Sequence, residues 1–145
     1  MVFLGIENVN ILHNENFWEL RIKSKKIAFI GGGVISVEIG QSLVRLGCDV
    51  SILDITPRIL GVTDEETGSY LTEQLEKESI IILNEAFTQR FEDSDTLIYT
   101  QGDEEQNLKA DYLLIAAGRI PNISGMDLEK AGIKYNKKGI ETNVY

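Results

Sequence analysis

Short continuous apolar runs alternate with segments of helical periodicity in the first half of the chain. Residues 27–30 are apolar throughout and lead into glycines, which is typical of a strand buried on both faces. Residues 34–46 carry apolar side chains at three- and four-residue intervals, and Gly47 follows as a helix-ending glycine. This predicts a helix that packs by one face, formed by Ile35, Ile39, Leu43 and Leu46.

A second strand and a second helix continue this alternation. Residues 50–54 are a mostly apolar run ending in Asp54, and Thr63 with Glu66 has the spacing of a capping box. The helix that follows is expected to bury Tyr70, Leu71 and Leu75. Residues 79–83 contain three consecutive isoleucines and predict a third buried strand. The order strand-helix-strand-helix-strand is the half-unit of a doubly wound parallel sheet with helices on both faces.

The second half of the chain has a different pattern. Residues 87–91 and 97–100 are short segments separated by a turn at 93–95, and a turn at 101–103 leads out of the second segment. We interpret them as an antiparallel meander that replaces a third helix. Residues 112–118 restore an apolar strand that ends in Gly118. From Arg119 onward, glycines, Pro121 and one short helical stretch at 127–131 indicate an exit segment.

Composition narrows the class of protein. The chain has 145 residues, enough for one domain, with 43% hydrophobic and 26% charged residues and a formal net charge of −9. That sign argues against nucleic acid or an anionic membrane as a partner. A single cysteine, Cys48, and a single histidine, His13, exclude a disulfide scaffold and a structural zinc site built from these residue types. No apolar stretch approaches bilayer length, and a cytoplasmic location is expected.

A glycine-rich motif lies between the first strand and the first helix. Residues 31–36 read G-x-G-x-x-S, in which Gly31 can make the tight turn and Gly33 lets a pyrophosphate approach the backbone. Ser36 is small enough for close helix packing. The phosphates would lie at the helix N-terminus beside Val34 and Ile35, where unpaired amides and the helix dipole favour an anion. The alternative is a structural glycine turn that binds no ligand.

Asp54 bears on the choice of cofactor. It follows Gly31 by 54 − 31 = 23 residues, near the spacing at which an acid meets the adenosine ribose of a dinucleotide. A carboxylate accepts from the 2′-hydroxyl of NAD and repels the 2′-phosphate of NADP, so NAD is favoured. Arg58 is the only nearby basic residue. Either it fastens a loop, or it is available to a 2′-phosphate and NADP is not excluded.

These residues resemble the NAD-binding domain of the pyridine nucleotide-disulfide oxidoreductases, which include glutathione reductase, dihydrolipoamide dehydrogenase and mercuric reductase. The resemblance runs from about residue 14 to the C-terminus and rests on residues 31–38, Asp54 and the A-G-R-I-P-N segment at 117–122. It implies an α/β, Rossmann-like fold of the FAD/NAD(P)-binding type. In that fold a four-stranded parallel sheet has helices on both faces and an antiparallel three-stranded meander crossover.

The resemblance also implies roles for individual residues. Gly31, Gly33 and Ser36 would contact or permit the pyrophosphate, and Asp54 would hold the ribose. Glu38 would lie near the nicotinamide and pair with a lysine of the FAD domain, and Gly118 and Arg119 would lie where the chain passes the nicotinamide. The position of Val34 is often an aromatic lid in the glutathione reductase branch. That branch carries two arginines for the 2′-phosphate, whose positions are occupied here by Ile55 and Gly61.

Several features of the family are absent from the sequence. The redox C-x4-C pair, the FAD glycine motif and the C-terminal His-Glu pair are missing, and Cys48 is expected to be a packing residue. We therefore expect an excised central domain, with a connecting segment at 1–25, an NAD-binding domain at 26–118 and an exit segment at 119–145. It would bind NADH without turnover, and it would carry no catalytic residue and no metal ligand.

The expected parent is a homodimeric, FAD-dependent oxidoreductase most similar to dihydrolipoamide dehydrogenase. In it, this domain would orient NADH toward FAD, packed against an FAD domain and a dimerisation domain. Alternative parents are mercuric and glutathione reductases. Two other function classes are a stand-alone nucleotide-binding module without catalysis and an S-adenosylmethionine-dependent methyltransferase, and the meander and the 117–122 segment argue against the latter.

Overall fold

A five-stranded parallel sheet forms the centre of the computed structural model, which describes residues 4–13, 15–21 and 25–143. Its strand order is β1-β8-β2-β3-β4, and a separate antiparallel sheet has the order β5-β6-β7. The strands are β1 Ile11–Leu12, β2 Lys26–Ile30, β3 Asp49–Leu53, β4 Ile81–Leu83, β5 Ala86–Phe91, β6 Thr96–Gln101, β7 Glu104–Lys109 and β8 Tyr112–Ile115, followed by a hairpin of β9 Tyr135–Asn136 and β10 Gly139–Ile140. The helices are α1 Val34–Arg45 and α2 Glu65–Lys77.

The two faces of the parallel sheet are covered by different structures. Side chains on one face of β2, including Phe29, form a core with Val37 of α1 and Leu75 of α2. Those on the opposite face, including Ala28, pack against Leu97 and the rest of the meander. The predicted α/β fold with a meander crossover is confirmed. The prediction that helices cover both faces of the sheet was wrong. Both helices cover one face because the meander occupies the other.

The sheet has one strand more than the four that the family resemblance implied. Ile11 and Leu12, within the predicted connecting segment, pair in parallel with Leu113 and Leu114 of β8. Leu12 is buried, so this strand contributes to the core. Two apolar residues are too few for a periodicity signal, and the pairing is decided by β8 residues 113 − 11 = 102 positions away in the chain. Both predicted terminal segments extend beyond the described residues.

The third predicted strand is shorter and more exposed than expected. It spans Ile81–Leu83 instead of 79–83, because Ser79 has φ +71° in the turn that leaves α2. Among the described strands it pairs only with β3, which makes it an edge strand. Ile81 is 54% exposed, so three isoleucines in sequence did not make this strand buried.

Helix α1 begins at Val34 and is followed by Gly47 at φ +82°, as predicted. Its predicted apolar face is only partly correct. Ile39 and Leu43 pack against the core, whereas Ile35 and Leu46 are exposed. The buried residues of the helix are Ser36, Val37 and Gly40, and a Cβ at position 40 would lie 3.3 Å from Cγ1 of Val50. Small residues therefore bring the helix close to the sheet.

The N-cap of α2 is Asp64, so the predicted capping box led by Thr63 was displaced by one residue. The Asp64 carboxylate accepts from the Thr67 amide at 2.9 Å, whereas the Thr63 hydroxyl donates to the carbonyl of Leu60 at 2.8 Å. Leu71 and Leu75 face the core, and Tyr70 is exposed. The predicted helical stretch at 127–131 was also wrong, because that segment forms turns.

We expect Asp64→Ala to lower the thermal midpoint by about 2–4 °C at neutral pH, since it removes this cap. The Thr67 amide lowers the pKa of Asp64 below its ordinary value. A lowered folded-state pKa gives stability that is present above the unfolded pKa and is lost as the pH falls through the folded one. Thermal melts of the wild type and Asp64→Ala should thus converge in acid. Asp64→Asn, which keeps an acceptor, is the control, and equal midpoints for alanine and wild type at neutral pH would contradict the assignment.

Candidate functional site

A cleft of about 1060 Å³ opens at the carboxyl ends of β2, β3 and β8. Ligands of open α/β sheets bind at this end of the strands. The loops that follow these strands and the first residues of α1 form its walls. Of the predicted site residues, the cleft brings together Gly31, Gly33, Val34, Asp54 and Gly118.

Gly31 makes the predicted tight turn. Its φ is +102°, and its amide donates to the carbonyl of Leu53 at 2.8 Å. A Cβ at this position would lie 2.7 Å from the carbonyl oxygen of Ala116, on the neighbouring strand end. Backbone conformation and close approach therefore both require glycine.

Gly33 is the N-cap of α1 and faces open space. Its backbone is extended, with φ −79° and ψ −178°, and glycine offers no side chain of its own to cap the helix. A Cβ there would meet no atom within 4 Å, so packing does not demand glycine. Val34 and Ile35 are exposed at the start of the helix, where backbone amides have no intrahelical partner. The open cradle and its amides fit an anionic group such as a pyrophosphate.

Ser36 is fully buried beneath the glycine turn. Its hydroxyl donates to the carbonyl of Gly31, which ties the first turn of α1 to the loop. Its side chain therefore supports the loop from below. Of the two predicted roles, the geometry favours permitting the pyrophosphate over contacting it.

Asp54 is hydrogen-bonded to two loops. Its Oδ2 accepts from the Gly32 amide, and its Oδ1 accepts from the Thr56 amide at 2.7 Å and the Thr56 hydroxyl at 2.6 Å. A carboxylate has about four acceptor sites, so these three donors leave about one for a ligand hydroxyl. Asp54 therefore positions the glycine loop and can still accept a hydrogen bond from the cleft.

Sequence reasoning missed Gly32 and Thr56. A Cβ at Gly32 would lie 2.6 Å from Cγ2 of Ile59 and 2.9 Å from Oδ2 of Asp54, so this glycine is needed for the loop contact. The glycine at the middle, variable position of the G-x-G motif was a signal that could have indicated this contact. Thr56 follows Asp54 by two residues, the spacing of an Asx turn, in which an aspartate accepts the amide two positions later.

Arg58 fastens a loop, which is one of its two predicted interpretations. Its guanidinium donates to the carbonyls of Leu60 at 3.0 Å, Gly61 at 3.3 Å and Thr63 at 2.7 Å. Within the described residues it is the only basic side chain that lines the cleft, which also holds Asp54 and Glu65. The charge available to a ligand here is therefore mainly negative.

A second cleft of about 730 Å³ lies on the other side of β8 and shares Ala116 and Gly118 with the first. It brings together the predicted site residues Ile35, Glu38 and Arg119, and Ser36 lines neither cleft. Sequence reasoning missed its aromatic wall of Phe17 and Trp18, which contact each other edge to face with ring centroids 4.9 Å apart. No periodic pattern marks those two residues, which stand in a single 3-10 turn.

Cys48 lies in the core on the helical face of the sheet, at 5% exposure, which agrees with a packing residue. Across residues 4–13, 15–21 and 25–143, the structure holds no cluster of three or more His, Cys, Asp or Glu that could hold a metal. In the same part of the chain, no helix has both the length and the apolar character needed to span a membrane.

One family model and two curated relatives each match nearly the whole chain. A family model described as pyridine nucleotide-disulphide oxidoreductase matches residues 4–145. Dihydrolipoyl dehydrogenase of Bacillus subtilis is 32% identical over 134 residues, covering 92% of this chain and 29% of that protein. Mercuric reductase of Staphylococcus aureus is 32% identical over 145 residues, covering 97% of this chain and 26% of that protein.

A solved structure has the same fold. The HOCl-induced flavoprotein disulfide reductase RclA of Escherichia coli, in its Cu(II) complex, superposes with a TM-score of 0.84 at 23% identity. The match covers 99% of this chain and 33% of that one. The chain thus spans about a quarter to a third of the length of the proteins it matches.

Proposed function

The chain belongs to the pyridine nucleotide-disulfide oxidoreductase family, and we propose that it is the NAD(H)-binding domain of a flavin-dependent member most similar to dihydrolipoamide dehydrogenase. Its role is to orient NADH for hydride exchange with FAD held by another domain. The observation that carries the proposal is the pair of clefts meeting at Ala116 and Gly118, next to the open helix N-terminus at Gly33. A dinucleotide needs two pockets joined by an anion site.

Each half of the cofactor has residues of suitable chemistry. In the first cleft, Asp54 accepts a hydrogen bond from an adenosine ribose hydroxyl, and the amides at the start of α1 bind the pyrophosphate. In the second cleft, Glu38 and Arg119 are exposed beside the space for the nicotinamide. Bound NADH supplies the hydride, and the protein supplies orientation.

The charges of the first cleft favour NAD over NADP. A 2′-phosphate brought beside Asp54 would also meet Glu65, and both carboxylates repel it. The Arg58 guanidinium, already bonded to three backbone carbonyls, is not positioned to compensate. Ile55, at a position occupied by arginine in the glutathione reductase branch, adds no cation.

The domain organisation and partners are part of the same proposal. Residues 26–118 form the nucleotide-binding domain, 1–25 a connection whose strand β1 joins the sheet, and 119–145 an exit segment. The exposed apolar side chains of Trp18, Ile35 and Ile120 around the second cleft favour a covering FAD domain over a stand-alone nucleotide-binding module. We further propose a homodimeric parent located in the cytoplasm, to which this chain contributes binding without turnover.

A parallel titration with NADH and NADPH tests the function. We expect NADH to raise the thermal midpoint of the 145-residue chain, because a ligand at about one hundred times its Kd adds ~2.7 kcal/mol to the free energy of unfolding. NADPH should give a clearly smaller rise at equal concentration. Equal rises would contradict the NAD preference, and no rise with either nucleotide would contradict nucleotide binding by this chain.

Ile55→Arg should increase the affinity for NADPH by about tenfold at low ionic strength. Ile55 lines the first cleft and is 56% exposed, so the new guanidinium can reach a 2′-phosphate without disturbing the core. Isothermal titration calorimetry at low and high salt measures the gain, which should shrink as salt screens the pair. Ile55→Gln controls for the longer polar side chain, and an equal gain in that variant would contradict the electrostatic explanation.

A further inference from the structure

The outer wall of the first cleft receives three hydrogen bonds from one side chain, Arg58. Residues 60–63 form a loop whose tip is open to solvent, with Val62 97% exposed. Leu60 has φ +54°, an uncommon conformation for a residue other than glycine. Leu60 is 7% exposed and packs in the core, so burial anchors the start of the loop but does not hold its tip at Gly61 and Val62. The three carbonyl contacts of the Arg58 guanidinium all fall on it.

This loop is connected to the phosphate end of the site. The Leu60 amide donates to the Gly32 carbonyl at 2.8 Å, and Ile59 is fully buried against Gly32. Leu60, Gly61 and Val62 all line the first cleft. Movement of the loop would therefore change the cleft wall and the support of the glycine turn together.

Gly68 of α2 makes room for the guanidinium. A Cβ at this position would lie 2.7 Å from Nη1 of Arg58, closer than side chains tolerate. Glycine within a helix lowers helix stability relative to alanine, and the space that Gly68 leaves free offsets this cost with a packing role. The arginine fills that space, and as the flexible partner it would be the group displaced.

We propose that Arg58 is a positioning residue that clamps the 60–63 loop into the cleft wall, and that Gly68, by admitting its guanidinium, withholds this cation from a 2′-phosphate. Arg58 then contributes both to the affinity for NADH and to the preference for NADH over NADPH. It holds the cleft wall in the shape that binds NADH, and its guanidinium does not contact the 2′-phosphate of NADPH. This inference rests on the proposed nucleotide-binding function.

Arg58→Gln and Arg58→Lys form the first test. The planar guanidinium of arginine donates to three carbonyls at once, which neither the amide of glutamine nor the ammonium of lysine can do in the same geometry. Both variants should therefore weaken NADH binding by about tenfold or more, and lysine should fail to rescue although it keeps the charge. Calorimetric titration with NADH and NADPH gives the two affinities. NADH affinities in both variants equal to that of the wild type would overturn the clamp.

Gly68→Ala displaces the guanidinium without removing it. We expect the thermal midpoint to hold or rise, NADH affinity to fall and NADPH affinity to rise, so that the NADH-to-NADPH ratio drops about tenfold. In the Arg58→Gln background the same substitution should have no effect on this ratio, because the group that it displaces is gone. An equal effect in both backgrounds would assign it to the helix and overturn the role of Gly68.

Hydrogen exchange at the Leu60 amide tests the clamp without a ligand. Its bond to Gly32 should open faster in Arg58→Gln and Gly68→Ala, while amides of the central strand β2 keep their wild-type rates. Unchanged exchange at Leu60 would count against the clamp. If wild-type chain binds neither nucleotide but Leu60 exchange rises in the variants, the clamp stands and the proposed function fails, so the two failures are distinguishable.

Discussion

Gly33→Asp should weaken NADH binding by about a hundredfold while leaving the chain at least as stable as the wild type. The backbone at Gly33 is extended, and a Cβ there meets no atom within 4 Å, so any residue fits the fold. Aspartate is a good N-cap and stabilises α1 slightly relative to glycine. Its carboxylate, however, would occupy the space assigned to the pyrophosphate and satisfy the amides that would bind it.

The expected size of the loss follows from the charges. Two unit charges about 5 Å apart repel by ~3 kcal/mol at an effective dielectric constant of 20, which corresponds to about a hundredfold in Kd. Thermal melts with and without NADH, followed by calorimetric titration, measure stability and affinity in the same sample. A fall in stability would contradict the N-cap geometry.

Gly33→Asn is the matched control for this substitution. Asparagine has nearly the same size and caps a helix about as well, but it carries no charge. It should weaken NADH binding through steric crowding alone and by less than aspartate does. Equal affinities in the two variants would show that size, and not charge, excludes the ligand, and wild-type affinity in both would remove Gly33 from the site.

Gly31→Ala, unlike Gly33→Asp, should lower the free energy of unfolding of the chain. Holding a non-glycine residue at φ +102° costs about 1–3 kcal/mol, and the new Cβ would lie 2.7 Å from the Ala116 carbonyl oxygen. That oxygen belongs to backbone beside β8, so it cannot rotate away as a side chain would. We expect a loss of about 3 kcal/mol or more and a thermal midpoint lower by about 10 °C.

Gly102→Ala separates conformational strain from the steric clash. Gly102 lies in the β6–β7 turn at φ +61°, and a Cβ there would meet no atom within 4 Å. Only the left-handed conformation is penalised, by ~1 kcal/mol. Chemical denaturation of both variants gives the two free energies of unfolding. Equal losses would show that contact with Ala116 contributes nothing at Gly31.

The same contrast shows why some site residues could be predicted from sequence and others could not. The glycine turn, the start of α1 at Val34 and the closing Gly47 depend on backbone conformation and neighbours within one helical turn, which local sequence encodes. The face that α1 buries depends on the sheet beneath it, so periodicity selected Ile35 and Leu46 where Val37 and Gly40 make the contact. Asp54 was identified from its spacing, but its bonds to Gly32 and Thr56 were not.

The amino-acid sequence by itself determined the order of elements from β2 to β6 and the later strand β8, the glycine turn with its helix N-terminus, and an acidic residue at the end of the second predicted strand. These features depend on hydrophobic periodicity and on φ/ψ preferences, both of which are local. Only the tertiary structure decided that Asp54 accepts from the Gly32 amide, that Arg58 donates to three loop carbonyls beside Gly68, and that Trp18 lines a second cleft. Their energies depend on contacts between distant chain positions, which exist only once the sheet has brought its strand ends together.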